Sequence, residues 1–128
     1  MTFLFVEDDD QVSRAVQRLA RECGHELRRA RSPAEAMEAL ARGGIDAVLA
    51  DWDLDGENGL ELLERVRLHH PEVRRVLVSG SDPPAGFADE PPCQLYFAKP
   101  FGRPEFASLC AMLAGEDESV AAPPWRSP

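Results

Sequence analysis

The sequence predicts an α/β domain in which a parallel sheet is covered by helices on both faces. Short apolar runs alternate with stretches whose apolar residues recur at helical spacing, the pattern of strand–helix–strand units. The run Ile45 to Ala50 has few polar residues, as a strand buried on both faces requires. The runs also stop in a telling way. Leu4-Phe5-Val6 enters Glu7-Asp8, Ala47 to Ala50 enters Asp51, Val76-Leu77-Val78 enters Ser79, and Leu95-Tyr96-Phe97-Ala98 enters Lys99-Pro100. Parallel strands deliver their carboxyl ends to one edge, where ligands bind, so these scattered polar residues become neighbours.

Each element has its own signals. After the first strand, Val12, Ala15, Val16, Leu19, Ala20 and Cys23 recur at helical spacing, and Gly24 is placed to stop that helix. Asp9 and Asp10 are expected to cap it, because the helix dipole favours negative charge at its start. Residues 26 to 30 form a short, rather polar strand, expected at an edge. Ser32-Pro33-Ala34-Glu35 combines an N-cap serine, a proline at the first helical position and the glutamate of a capping box. The second helix carries Met37 and Leu40 inward and ends at Gly43-Gly44. Asn58-Gly59-Leu60-Glu61 opens a third helix through Leu62, Leu63 and Val66, which His69-His70-Pro71 terminates. Strand four is read as Val73 to Val78 and strand five as Gln94 to Ala98. A last helix from about Pro104 places Phe106, Leu109, Cys110 and Leu113 on one face. The tail from Gly115 to Pro128, acidic and then proline-rich, reads as disordered, which leaves residues 1–114 as the domain.

Composition narrows the function. The 128 residues suit a single domain. Fourteen Lys and Arg against 23 Asp and Glu give a net charge of −9, which opposes binding to a polyanion such as DNA. No apolar stretch approaches the roughly 20 residues of a membrane span, and the start of the chain lacks a signal peptide's basic region, so a cytoplasmic protein is expected. Cys23, Cys93 and Cys110 lie far apart with no metal-ligand spacing. Cys23 and Cys110 fall on apolar helix faces and read as core residues.

Val6-Glu7-Asp8-Asp9, the stretch Asp51-Trp52-Asp53-Leu54 leading to Gly59, the Ser79-Gly80 turn and Lys99-Pro100-Phe101 follow one another across residues 1 to about 114. Together they resemble the receiver domain of bacterial two-component response regulators, in the stand-alone form typical of chemotaxis regulators. The resemblance implies a flavodoxin-like, doubly wound five-stranded sheet of order 2-1-3-4-5. It also implies a phosphoprotein that takes a phosphoryl group from a histidine kinase or a histidine phosphotransfer protein and signals through a further protein; from the charge and the lack of a long apolar run, neither nucleic acid nor membrane is expected as a partner. Beyond accepting the phosphoryl group and losing it again, no enzymatic activity is implied.

The residues suit that chemistry. Bringing a phosphoryl group to a carboxylate joins anions, so a divalent cation is needed to neutralise charge and align the in-line displacement. Mg²⁺ prefers octahedral oxygen ligands, keeps several waters and takes one or two carboxylates. Asp8 and Asp51 are read as its direct ligands and Glu7 as acting through a bound water, and the resemblance adds the backbone carbonyl of Asp53. Asp51 is read as the phosphoryl acceptor, held by the rigid backbone of the most buried strand. Lys99 is the matching cation, able to pair with Asp51 before reaction and with a phosphoryl oxygen afterwards. Ser79 would donate a hydroxyl hydrogen bond to a phosphoryl oxygen. By resemblance, Tyr96, three residues before the lysine, matches a rotameric switch coupled to Ser79, and Lys99-Pro100 is where a cis peptide is expected.

Two features depart from the family pattern. Asp55 stands where a proline is common. The segment 80–93, normally a helix, contains four prolines and two glycines. Proline removes a donor and clashes inside a helix, so an irregular loop or a single turn is expected over 82–93, with the fourth helix of the family missing or degenerate. Two other functions compete with the phosphorylated receiver. One is a pseudo-receiver, a binding module that is never phosphorylated, against which the intact acid, hydroxyl and lysine set argues. The other is a metal-dependent phosphohydrolase, for which no general acid is visible.

Overall fold

The computed structural model describes residues 1–54 and 56–79, the main chain of 95–98, and residues 102–114. The elements run β1 (Thr2–Val6), α1 (Asp10–Glu22), β2 (Glu26–Ala30), α2 (Pro33–Arg42), β3 (Ala47–Asp51), α3 (Gly59–His69), β4 (Arg74–Ser79), β5 (Leu95–Ala98) and α4 (Arg103–Leu113). The strands form one sheet in the order β2-β1-β3-β4-β5, with every pairing parallel. β2 carries the most polar strand sequence and is an edge.

Strand alternation divides the core into two layers. Leu4, Val6, Val48, Ala50 and Leu77 face one side, where they meet Ala36 and Leu40 of α2 and Leu62, Leu63 and Val66 of α3. Phe3, Phe5, Ala47, Leu49, Val76 and Val78 face the other, against Val16 and Ala20 of α1 and Phe106, Leu109, Cys110 and Leu113 of α4. Both faces of the central strands are therefore dry, which is why β1 and β3 are almost wholly apolar. Phe106 fills the gap between α4 and the sheet with its ring 5.5 Å from that of Phe3. The guanidinium of Arg74 donates to the carbonyl of Leu113 at 2.7 Å, which satisfies an orphan carbonyl at the end of α4 and places a cation at the negative end of its dipole.

The helix ends follow the capping chemistry in the sequence. Asp9 is the N-cap of α1, and its Oδ1 accepts from the amides of Gln11 at 2.8 Å and Val12 at 3.1 Å. Ser32 accepts from the amide of Glu35 and Asn58 from that of Glu61. Gly24, just past the end of α1, has φ +83°, a conformation that a side chain would strain. Because Asp9 satisfies two otherwise orphaned amides, Asp9→Ala is expected to lower stability by about 1 kcal/mol. Equilibrium urea unfolding measures it, and an unchanged midpoint would remove the cap from the account.

Four details differ from the sequence reading. In α1 the residue that joins Val16 and Ala20 in the core is Ser13, whereas Ala15 is exposed and Val12, Leu19 and Cys23 are half-buried at the margin. Positions 13, 16 and 20 lie on one helical stripe, so packing selected a small hydroxyl over an apolar residue one register away. In α2 it is Ala36 that accompanies Leu40 inward, and Met37 is half-buried beside them. β3 starts at Ala47 rather than Ile45 and includes Asp51. β4 runs from Arg74 to Ser79, because the Val73 amide is taken by the carbonyl of His70 in the preceding turn.

Cys110 is buried against the sheet, and burial pushes its thiol up to about 11. A thiol-specific alkylating reagent at pH 8 should therefore modify Cys110 only under denaturing conditions. Rapid modification of the native protein, read by mass spectrometry, would contradict its placement. The expected loop over 82–93, Asp55, Cys93 and the tail 115–128 lie outside the described residues.

Candidate functional site

The ends of three strands, β1, β3 and β4, meet at the carboxyl edge of the sheet. The register sets Val6 opposite Ala50, so Glu7 follows at the level of Asp51 on the adjacent strand. Asp51 lies opposite Val78, and Ser79 is the next residue along. Adjacent parallel strands are about 4.8 Å apart, so these residues are close neighbours by backbone position alone. Alternation also places Glu7 and Asp51 on the same side of the sheet, in phase with Phe3 and Phe5 and with Ala47 and Leu49 respectively.

The residues differ sharply in exposure. Asp51 is 5 % exposed, Ser79 3 % and Glu7 1 %, whereas Asp8 and Asp53 are exposed. The edge thus has two buried acidic residues, Glu7 and Asp51, with exposed acids beside them in Asp8 and Asp53.

The loop that follows Asp51 is tightly held. The Trp52 amide donates to the carbonyl of Val78 at 2.8 Å, extending the ladder past the end of β3. The amide of Asp53 approaches the Asp51 carboxylate at 3.4 Å, and Asp53 forms an antiparallel bridge with Asn58. Gly59, the first residue of α3, donates to the carbonyl of Trp52 at 3.0 Å. A Cβ at Gly59 would come within 2.3 Å of the Asp51 carbonyl oxygen and 2.9 Å of its carbon, so only glycine allows α3 to begin here.

The acidic loop after β1 is held from the edge strand. The Glu7 amide donates to the carbonyl of Ala30 at 3.0 Å, and its carbonyl accepts from Nε of Arg29 at 3.1 Å. The same guanidinium bonds Asp10, which Arg31 also approaches at 3.5 Å. The Arg29 hydrogen bond, aided by the charge of Arg31, holds the Asp10 carboxyl below its ordinary range. Sequence reasoning missed Arg29: a basic residue on a polar edge strand carries no sign that it will bond a loop 22 positions earlier.

Among the described residues, no three His, Cys, Asp or Glu side chains converge into a metal-binding cluster. Mg²⁺ takes one or two carboxylates and completes its shell with carbonyl and water oxygens. The buried Asp51, the exposed Asp8 and a backbone carbonyl at Asp53 are hard oxygen donors of this kind. Lys99 and Pro100 lie outside the described residues, as does any cis peptide between them. Tyr96 pairs through its backbone with Leu77, and the switch expected of its side chain likewise falls outside what is described. No helix among the described residues is long and apolar enough to cross a membrane.

A family model for the response regulator receiver domain matches residues 3–110. The chain is 31 % identical over 125 residues to the DNA-binding transcriptional regulator NtrC of Azospirillum brasilense, covering 94 % of this chain and 26 % of that protein. It is 32 % identical over 112 residues to the sensor kinase CckA of Brucella abortus, covering 84 % of this chain and 12 % of that protein. It therefore spans about a quarter of the first relative and about an eighth of the second. Among solved structures, the response regulator TrrA of Thermotoga maritima, in complex with Mg²⁺ and BeF, superposes with a TM-score of 0.77 at 21 % identity, covering 88 % of this chain and 97 % of that one.

Proposed function

We propose, for a chain that belongs to the response regulator receiver family, that it accepts a phosphoryl group on Asp51 with the help of Mg²⁺ and relays the signal by binding another protein. One observation carries the proposal: a buried aspartate ends the central strand, with Glu7 and Ser79 at the ends of the two strands that flank it. The Thermotoga maritima regulator in complex with Mg²⁺ and BeF supports the choice of metal, and the sensor kinase relative supports a place in a phosphorelay.

When bound, Mg²⁺ would neutralise the oxygens that the transfer brings together. Asp8 and Asp51 would hold it through their carboxylates and Asp53 through its backbone carbonyl, with Glu7 acting through a coordinated water. An Asp51 carboxylate oxygen forms the new bond to phosphorus as the donor's bond breaks. With a phosphohistidine the P–N bond breaks and its electron pair stays on the imidazole nitrogen. With a small acyl phosphate the P–O bond breaks and a carboxylate leaves. Ser79 donates to one phosphoryl oxygen and Lys99 pairs with another, and the displaced hydroxyl gives Tyr96 its room to turn inward. The protein catalyses nothing beyond its own phosphorylation and dephosphorylation, and it works in the cytoplasm.

A flavodoxin-like sheet of order 2-1-3-4-5 goes with this function. The test is incubation with Mg²⁺ and a small acyl phosphate. One acid-stable, base-labile phosphoryl group per chain is expected, and none when EDTA removes the metal. Stoichiometric labelling in EDTA, or no labelling with Mg²⁺, would overturn the proposal.

A further inference from the structure

Arg29 is not placed as an ordinary edge-strand arginine. Its neighbours Arg28 and Arg31 keep side chains 49 % and 62 % exposed, whereas that of Arg29 is 19 % exposed and folds over the end of β1. There Nε donates to the Glu7 carbonyl and Nη1 to Oδ1 of Asp10. Nη2 is buried and has no hydrogen-bond partner among the described residues. A buried N–H left unmade is costly. A side chain free to turn outward would avoid that cost, so this pose is dictated by the two contacts it makes.

Those contacts bear on Asp8. Glu7 is tied to β2 through its amide, by the carbonyl of Ala30, and through its carbonyl, by Arg29. The carbonyl of Glu7 belongs to the peptide that carries the Asp8 nitrogen. On the other side, Asp9 is fixed as the cap of α1. Asp8, exposed and between these two anchors, has its backbone direction set by them.

We propose that Arg29 is a positioning residue for Asp8: its guanidinium clamps the Glu7–Asp8 peptide so that the Asp8 carboxylate is presented to Mg²⁺. This rests on the reading of the site as a Mg²⁺-assisted phosphoryl acceptor. The planar fork of arginine supplies two directed donors at once, whereas the point charge of lysine does not. The sign of the effect separates clamp from charge. On electrostatics alone, removing a cation beside a metal site would tighten Mg²⁺ binding. Loss of the clamp loosens it.

The experiment is a Mg²⁺ titration followed by Trp52 emission in a Trp125→Phe background, where Trp52 is the remaining tryptophan. It compares Arg29, Arg29→Ala and Arg29→Lys, alongside amide hydrogen exchange of the metal-free proteins. Arg29→Ala is expected to bind Mg²⁺ roughly tenfold more weakly, about 1.4 kcal/mol, and to exchange the Asp8 and Asp9 amides faster. Arg29→Lys, which keeps the charge, should recover only part of the affinity and serves as the variant of record if Arg29→Ala does not fold. Unchanged or tighter Mg²⁺ binding in both variants, with Mg²⁺-dependent labelling intact, overturns the role of Arg29 alone. A wild-type protein with no Mg²⁺ response overturns both this inference and the functional reading beneath it.

Discussion

Asp51→Asn is expected to abolish phosphoryl labelling completely while leaving the fold intact. The carboxylate sits at the end of the most buried strand and is 5 % exposed. An amide keeps its shape but offers neither an anionic nucleophile nor a charged metal donor. The exposed Asp8 and Asp53 should not substitute, because neither is held by strand backbone on both sides in the way that Asp51 is by Ala50 and by the Trp52 ladder bond. In the absence of metal the substitution should also leave the unfolding midpoint unchanged or raise it, since it removes one negative charge from an edge shared with Glu7, Asp8 and Asp53. Intact-mass and peptide mass spectrometry after treatment with an acyl phosphate decide the matter. A phosphoryl group on Asp8, Asp53 or any residue other than Asp51 would sink the assignment.

The edge that holds these residues was legible in the sequence for a specific physical reason. A strand buried on both faces must be apolar until it emerges, so the first polar residue after each run marks the rim. Glu7 was found this way, and Asp51 and Ser79 were each displaced by only one position, from just after β3 and β4 to the last residue of each. Caps were equally readable at Asp9, Ser32 and Asn58, because an N-cap is a local bond between residues two or three apart.

What the sequence hid was long-range or depended on size. Arg29 reaches a carbonyl 22 positions away, and nothing in β2 distinguishes it from Arg28 before the chain is folded. Ser13 enters the core in place of Ala15 because a helix has several small residues to offer a flat sheet, and hydropathy alone does not choose among them. Gly59 belonged to the motif that revealed the family, yet the reason for glycine there lies in three dimensions.

Gly59→Ala is accordingly expected to damage both stability and chemistry. The added Cβ would lie 2.3 Å from the Asp51 carbonyl oxygen, 2.9 Å from the carbonyl carbon and 2.9 Å from Cδ1 of Leu77. The leucine methyl can rotate aside. The carbonyl cannot, because it is the backbone of a central strand whose next amide is bonded to Val78. Relief must come from moving the start of α3, which strains the bond from the Gly59 amide to Trp52 and the Asp53–Asn58 bridge. Overpacking of this kind costs about 2–3 kcal/mol, against a gain of less than 1 kcal/mol from replacing glycine in a helix. Because the shifted loop carries Asp53 and ends on the peptide of the acceptor, the initial rate of labelling should fall roughly 10- to 100-fold even well below the unfolding transition. Urea unfolding and labelling kinetics at one temperature separate the two effects. A variant that unfolds at the wild-type midpoint and labels at the wild-type rate would show that the loop has slack at Gly59, and the close approach of α3 to Asp51 would then have no part in building the site.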